Sequence, residues 1–289
     1  MDKTEIHALI SLLDDPDEKV YHQIRAKLLS MGHEVIPELE SAWENSFDTV
    51  LQQRIEGIIQ RIQSESLVRA FKQWALPDEQ DLLTGALLVA RSQYPDLNES
   101  LIRKHLDQIK QDIWLELNNN LTALEKVRVI NHILFDVHNF GGNTANFHAP
   151  QNSYINNVLE TKKGNQVSLS VIYAVIAQDL RIPIYGVNLP EHFVLAYVDQ
   201  SVKQIPGMTD VDSVLFYINP FSRGSVVSKK EIEAFIRQQR LEAQPEFFAP
   251  CSNMTIIRRL LNNLMASYEK LGYPNKVDEL RVLRDALDS

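Results

Sequence analysis

The sequence predicts an α+β protein that is predominantly helical: one buried helix followed by several strands, with helical segments at both ends. Three observations carry this. Up to about residue 135 the apolar residues recur at spacings of three and four, with no strand pattern. Val167–Leu180 is apolar on nearly every side, which marks a helix enclosed on all faces. Three short runs rich in β-branched and aromatic residues follow it, before the helical period returns.

Taken in order, Ile6, Leu9, Ile10 and Leu13 form the first apolar face. Asp15-Pro16-Asp17 then reads as a helix start, with Asp15 as the N-cap and Pro16 in the first turn. Its stripe is Val20, Ile24 and Leu28, and Gly32 ends it. A third helix carries Ile36, Leu39 and Trp43, and a fourth Leu51, Ile55, Ile58, Ile59 and Ile62. The stretch from Leu12 to Trp43, with its Asp-Pro-Asp turn and Ile-Pro-x-Leu helix, resembles a HEAT repeat. Two long stripes follow: Leu101, Ile102, Leu106, Ile109, Ile113 and Leu117, then Leu121, Leu124, Val127, Ile130 and Leu134. Trp74 and Trp114 are expected in the core.

Residues 136–157 are rich in Asn and Gly and read as a long loop. The strands are expected over Ile182–Leu189, Phe193–Val198 and Val214–Ile218, and a Ser-capped helix over Ser228–Gln239. At the end, Ile256, Leu260, Leu264, Tyr268 and Leu271 make one helix face, stopped by Gly272. Pro274 opens another helix with Val277, Leu280, Leu283 and Leu287. The pair resembles a tetratricopeptide-like hairpin, and two helices merely capping the core fit equally well. The organisation read from sequence is therefore a HEAT-like array over 1–65, a core over 66–245 and a helical hairpin over 246–289.

Composition narrows the function. Of 289 residues, 44% are hydrophobic and 23% charged, as in an ordinary globular protein. A net charge of −9 gives no support to nucleic acid as a partner. The single cysteine, Cys251, cannot form an internal disulfide. No apolar run is long enough to span a bilayer, and the first residues lack a secretory pattern. The expectation is a cytoplasmic protein away from membranes.

The order of elements suits nucleophilic catalysis. A nucleophile works well at the start of a buried helix, where the dipole and free amides stabilise an anion. A general-base His on the next strand and an orienting group on the one after complete the set. Here Gly164-Asn165-Gln166-Val167-Ser168 opens the helix, His192 precedes FVLAYV, and Asn219 ends VLFYI. No thiol stands at the helix start. Ser168, in the first turn of this helix, is the alternative nucleophile. The bland reading has Ser168 and Ser170 bonded to the helix backbone. Asn143, Asn146, Asn152, Asn156, Asn157 and Asn165 form an amide cluster, either a network pinning the loop or a polar groove. His132, His138 and His148 have no metal-ligand spacing, and no metal or cofactor is expected.

Several motifs in order carry a family resemblance: NSYINNVLETKKGNQVSLS, LPEHFVLAYVD and FYINPFSRG. Together they resemble the SirB-type branch of the transglutaminase-like superfamily, over roughly residues 80–240. The resemblance implies a papain/transglutaminase-like core, often with helical repeat-like extensions. Active members of the wider superfamily use Cys, His and Asp; by position these fall at Gln166, His192 and Asn219. The SirB-type pattern has Pro at the first of these, and Gly and Asp where this chain has Glu191 and Asn219. The expectation is thus a non-catalytic protein-interaction or scaffold module with no catalytic residue, a vestigial triad, and an oligomeric state left open. Binding candidates are Asn143, Asn152, Ser153, Tyr154, Asn157, Asn165, Glu191 and His192. The competing class is a hydrolase or transferase on a peptide or amide, using His192 with Ser168 or an activated water.

Overall fold

The computed structural model describes residues 3–77, 80–203 and 209–288; residues 1, 2 and 289, at the ends of the spans read from sequence, lie outside these. The chain divides into two compact units, Met1–Ala70 and Phe71–Ser289.

The first unit holds α1 (Lys3–Ile10), α2 (Glu18–Met31), α3 (Ile36–Asn45) and most of α4 (Thr49–Ala75), which runs on into the residues of the second. The apolar stripes meet in one buried cluster, including Ile6, Ile10, Leu13, Leu28, Leu39, Ile55, Ile58 and Ile62. The α2 start differs from the sequence reading. Asp17, not Asp15, is the N-cap, accepting from Lys19 N at 2.8 Å. Asp15 instead accepts from Asp17 N, also at 2.8 Å. An Asp side chain bonds readily to the backbone two residues ahead, so Asp15-Pro16 becomes a turn that delivers Asp17 in extended geometry. Gly32 ends α2 at φ +68°, where a side chain would be strained.

The second unit begins with α5 (Leu82–Arg91), α6 (Glu99–Glu116) and α7 (Ala123–Asn131), the last continued by a π-turn over His132–Val137. Then come β1 (Gly141–Gly142), α8 (Ile155–Thr161), β2 (Lys163–Gly164) and α9 (Gln166–Asp179). The main sheet follows: β3 (Ile184–Leu189), β4 (His192–Val198), a short α10 (Gln200–Lys203), β5 (Val214–Asn219) and β6 (Ser225–Val227). Its order is β3-β4-β5-β6, antiparallel throughout, while β1 and β2 pair in parallel as a separate ribbon. The chain closes with α11 (Lys229–Gln238), α12 (Asn253–Leu271) and α13 (Pro274–Asp285).

Every residue of α9 from Val167 to Ala177 is buried. It packs on β3 and β4 and also meets α5, α6, α8 and α12, which is why no polar face interrupts its sequence. Val194 and Ala196 of β4 join Ile232 and Ile236 of α11 in a second cluster. With both faces covered, β4 is buried at consecutive positions instead of alternating. The fold is the α+β, predominantly helical one expected, a buried helix on a small antiparallel sheet.

Two local expectations fail. Trp114 is 64% exposed, not core. The buried face of α6 is Ile102, Leu106, Ile109 and Ile113, and one further residue turns Trp114 about 100° away from it. Residues 136–157 are not one loop: they contain β1, a 3-10 turn over Pro150–Ser153 and the start of α8. Trp74 is buried as expected, its indole donating to Asp81 O at 2.7 Å. Among the described residues, no helix is long and apolar enough to cross a membrane.

Candidate functional site

The start of α9 is built from small polar residues. Asn165 is the N-cap, and its Oδ1 accepts from Ser168 N at 2.9 Å. Ser168 Oγ accepts in return from Asn165 N at 3.0 Å, a capping box with serine in the place more often held by Glu or Gln. The same Oγ donates to Asn152 O at 2.5 Å. Ser168 is 3% exposed, and its hydroxyl is committed to backbone groups on both sides. Gly164 permits this: a Cβ there would stand 2.7 Å from Ser168 Oγ and 3.1 Å from Leu169 and Val158 side-chain atoms. Gln166 is the first residue of α9 and half-buried; its carbonyl accepts from Ser170 Oγ at 2.8 Å.

The asparagine cluster is largely a strut. Asn143 Nδ2 donates to Asn152 Oδ1 at 2.9 Å, and Asn152 Nδ2 donates to the carbonyls of Asn146 (2.7 Å) and Phe147 (3.1 Å). Asn146 N donates to Asn143 Oδ1 at 3.1 Å. Asn165 Nδ2 donates to Ser153 Oγ at 2.8 Å. The Tyr154 hydroxyl meets that of Tyr268 at 3.0 Å, and burial followed by this bond pushes its pKa far up. Asn152, Ser153, Tyr154 and Asn165 are all under a tenth exposed. The side-chain polar atoms of these four are engaged inside the fold. Asn143 is half-buried within the same network. Asn156 and Asn157 stand apart on α8, with both Oδ1 atoms buried and unbonded.

His192 sits where the β3–β4 hairpin turns. Leu189 pairs with His192, so Pro190-Glu191 is a two-residue turn. Glu191 has φ +54°, a left-handed conformation that glycine accepts without cost and glutamate does not. The His192 ring lies against Phe235 of α11, centroids 5.5 Å apart. Asn219 Nδ2 reaches His192 Nε2 at 3.4 Å. The amide orientation follows from Ser222 N, which donates to Asn219 Oδ1 at 3.3 Å. Asn219 thus presents its amide group to the imidazole. Burial, then the positive charge of Arg259, lowers the His192 pKa below its ordinary 6.5.

Arg259 is the residue that sequence reasoning missed. It comes from α12 and donates to Asn188 Oδ1 and Leu189 O, both at 3.1 Å, beside the turn. Burial lowers its pKa, and the charge of Glu191 opposes this. Only the apolar period of α12 was visible in the sequence. His192, Asn219, Glu191 and Arg259 are thus gathered at one turn, while Ser168 is turned into the fold.

The other candidates lie elsewhere. Cys251 bridges to Gly186, its N donating to Gly186 O at 2.7 Å, and burial pushes the thiol up to about 12. His138 Nε2 bonds Asp112 at 2.8 Å, His132 Nδ1 bonds Asp136 at 3.2 Å, and His148 faces Lys270. Each histidine has its own partner, and among the described residues no group of three His, Cys, Asp or Glu is placed to hold a metal.

Comparison with known proteins agrees with this architecture. Residues 100–262, more than half of the chain, match the transglutaminase-like superfamily. A UPF0162 protein of Xylella fastidiosa (strain 9a5c) is 30% identical over 197 residues, 65% of this chain and 64% of the relative. A UPF0162 protein of Vibrio cholerae is 22% identical over 187 residues, 64% of this chain and 65% of the relative. F-box only protein 21 of Mus musculus is 29% identical over 160 residues, 55% of this chain but 24% of the relative. The chain thus matches just under two thirds of the length of these UPF0162 relatives. No solved structure matches it significantly. With residues 100–262 matched, over a region that holds the buried helix and the antiparallel sheet, this chain belongs to the transglutaminase-like superfamily.

Proposed function

We infer that this protein is a non-catalytic transglutaminase-like protein of the SirB-type branch, acting as a protein-interaction or scaffold module in the cytoplasm. In this reading residues 1–65 are a HEAT-like array and 246–289 a tetratricopeptide-like hairpin flanking the core. The observation that carries it is the start of α9: no cysteine stands there, Gln166 occupies the place that the family resemblance assigns to the nucleophile, and the nearby hydroxyl of Ser168 is buried and bonded to Asn152 O and Asn165 N. The group beside His192 Nε2 is the neutral Asn219 amide, which carries no charge to stabilise an imidazolium. A protein role fits the surface charge and the helical flanks, whose faces suit protein partners.

The test is labelling of the full chain at about pH 8 with a fluorophosphonate and with iodoacetamide, followed by peptide mapping. The expected result is no adduct on Ser168 and none on Cys251 while the chain is folded. A fluorophosphonate adduct on Ser168 that His192→Ala removes would overturn the reading. The water-activated alternative rests on His192 alone, and is decided by the turnover measurement that closes the Discussion.

A further inference from the structure

A concave surface lies wholly within the first unit. Glu40, Trp43 and Glu44 of α3 and Glu56, Ile59 and Gln60 of α4 line a cavity of about 400 Å³. Its apolar part is the Trp43 indole, 37% exposed, and Ile59, which also packs on the helical core beneath. Trp43 Nε1 donates to Glu56 Oε1 at 2.8 Å, fixing the ring by one edge. Gln52 Nε2 donates to the carbonyls of Trp43 (3.2 Å) and Ser46 (3.0 Å), tying the end of α3 to α4. In the connection between these helices Phe47 is wholly exposed, and Val50 is 55% exposed at the first turn of α4.

The charges are one-sided. Elsewhere in this unit Glu38, Glu18 and Glu65 are neutralised by Lys3, Arg54 and Arg61. Among the described residues, Glu40, Glu44 and Glu56 form no salt bridge, although all three line the same cavity. Three uncompensated carboxylates beside an exposed indole repel anions and attract a cation, and the indole face adds its own affinity for guanidinium or ammonium. The exposed Phe47 and Val50 next to it suit an apolar neighbour of that cation.

We propose that this cleft docks a basic, partly apolar segment of a partner protein, placing an arginine or lysine side chain on Trp43 between the carboxylates. The proposal rests on the reading of the chain as an interaction module and names a surface for it, but is independent of the His192 turn.

The test uses the full chain and a fluorescent peptide of alternating leucine and arginine residues, with a leucine–glutamate peptide as its counterpart. Binding is followed by anisotropy. The wild type is expected to bind the arginine peptide and not the glutamate one. A variant with Glu40→Gln, Glu44→Gln and Glu56→Gln is expected to bind about tenfold more weakly; glutamine at position 56 still offers Trp43 an acceptor, so the fold is kept and circular dichroism checks this. Trp43→Ala is expected to weaken binding as well. A control with Glu242→Gln, Glu246→Gln and Glu269→Gln loses the same charge from exposed sites in the second unit and is expected to bind within about twofold of wild type. The proposal is overturned if the wild type does not bind, if both peptides bind equally, or if the cleft and control variants weaken binding to the same extent. Those outcomes leave the catalytic question untouched, since it is decided by labelling and turnover.

Discussion

Replacing Ser168 with alanine separates a strut from a nucleophile. In the fold its Oγ accepts from Asn165 N at 3.0 Å and donates to Asn152 O at 2.5 Å, at 3% exposure. Alanine removes both bonds and the second half of the α9 capping box, but Asn165 N also donates to Asn152 O at 3.3 Å, so neither backbone group is left without a partner. A hydrogen bond lost from groups that keep another partner costs about 0.5–1.5 kcal/mol. Ser168→Ala is therefore expected to destabilise the second unit by roughly 1–3 kcal/mol, against a typical net stability of about 5–15 kcal/mol. Urea unfolding of the full chain, read through the fluorescence of buried Trp74, measures it as a lower midpoint. A loss under about 0.5 kcal/mol would refute the reasoning, because a surface-like hydroxyl costs that little. So would an intact fold with an abolished enzymatic activity, which is how a nucleophile behaves.

Other perturbations test the same site from different sides. Glu191→Gly should raise stability by about 0.5–1 kcal/mol by relieving the left-handed φ of +54°, whereas Glu191→Val should lower it, both read from urea midpoints. NMR titration should find the His192 imidazole below 6.5, and Asn219→Asp should move it upward by placing a carboxylate beside Nε2. Because the folded pKa is the lower one, the unfolded chain binds more protons below about pH 6.5, so His192 makes stability fall as pH drops through that window; His192→Gln should flatten this slope. Cys251, with its thiol raised to about 12, should resist iodoacetamide at about pH 8 until the chain unfolds, and fast alkylation of the folded chain would contradict its burial.

What the sequence disclosed depended on the range of the interactions. The α9 helix and strand β4 were visible because burial on both sides leaves an unbroken apolar run, and β3 and β5 because β-branched and aromatic residues are concentrated in them. The Gly32 and Ser228 caps were visible because a cap is made by residues within one turn. Trp114 was misread because a single step around α6 separates core from solvent, and an apolar residue type does not say on which side it falls. Residues 136–157 looked like a loop because their order comes from asparagine side chains and from Ser168 reaching across to Asn152. Arg259 was missed for the same reason: α12 brings it to the His192 turn only in the folded chain.

A transglutaminase-like core without transferase or hydrolase chemistry should show no turnover. The full chain is incubated with a glutamine-containing peptide and a primary amine, and ammonia release is followed for wild type and His192→Ala. Both are expected to release ammonia at the rate of buffer alone. Release by the wild type above that background, lost in His192→Ala, would contradict it.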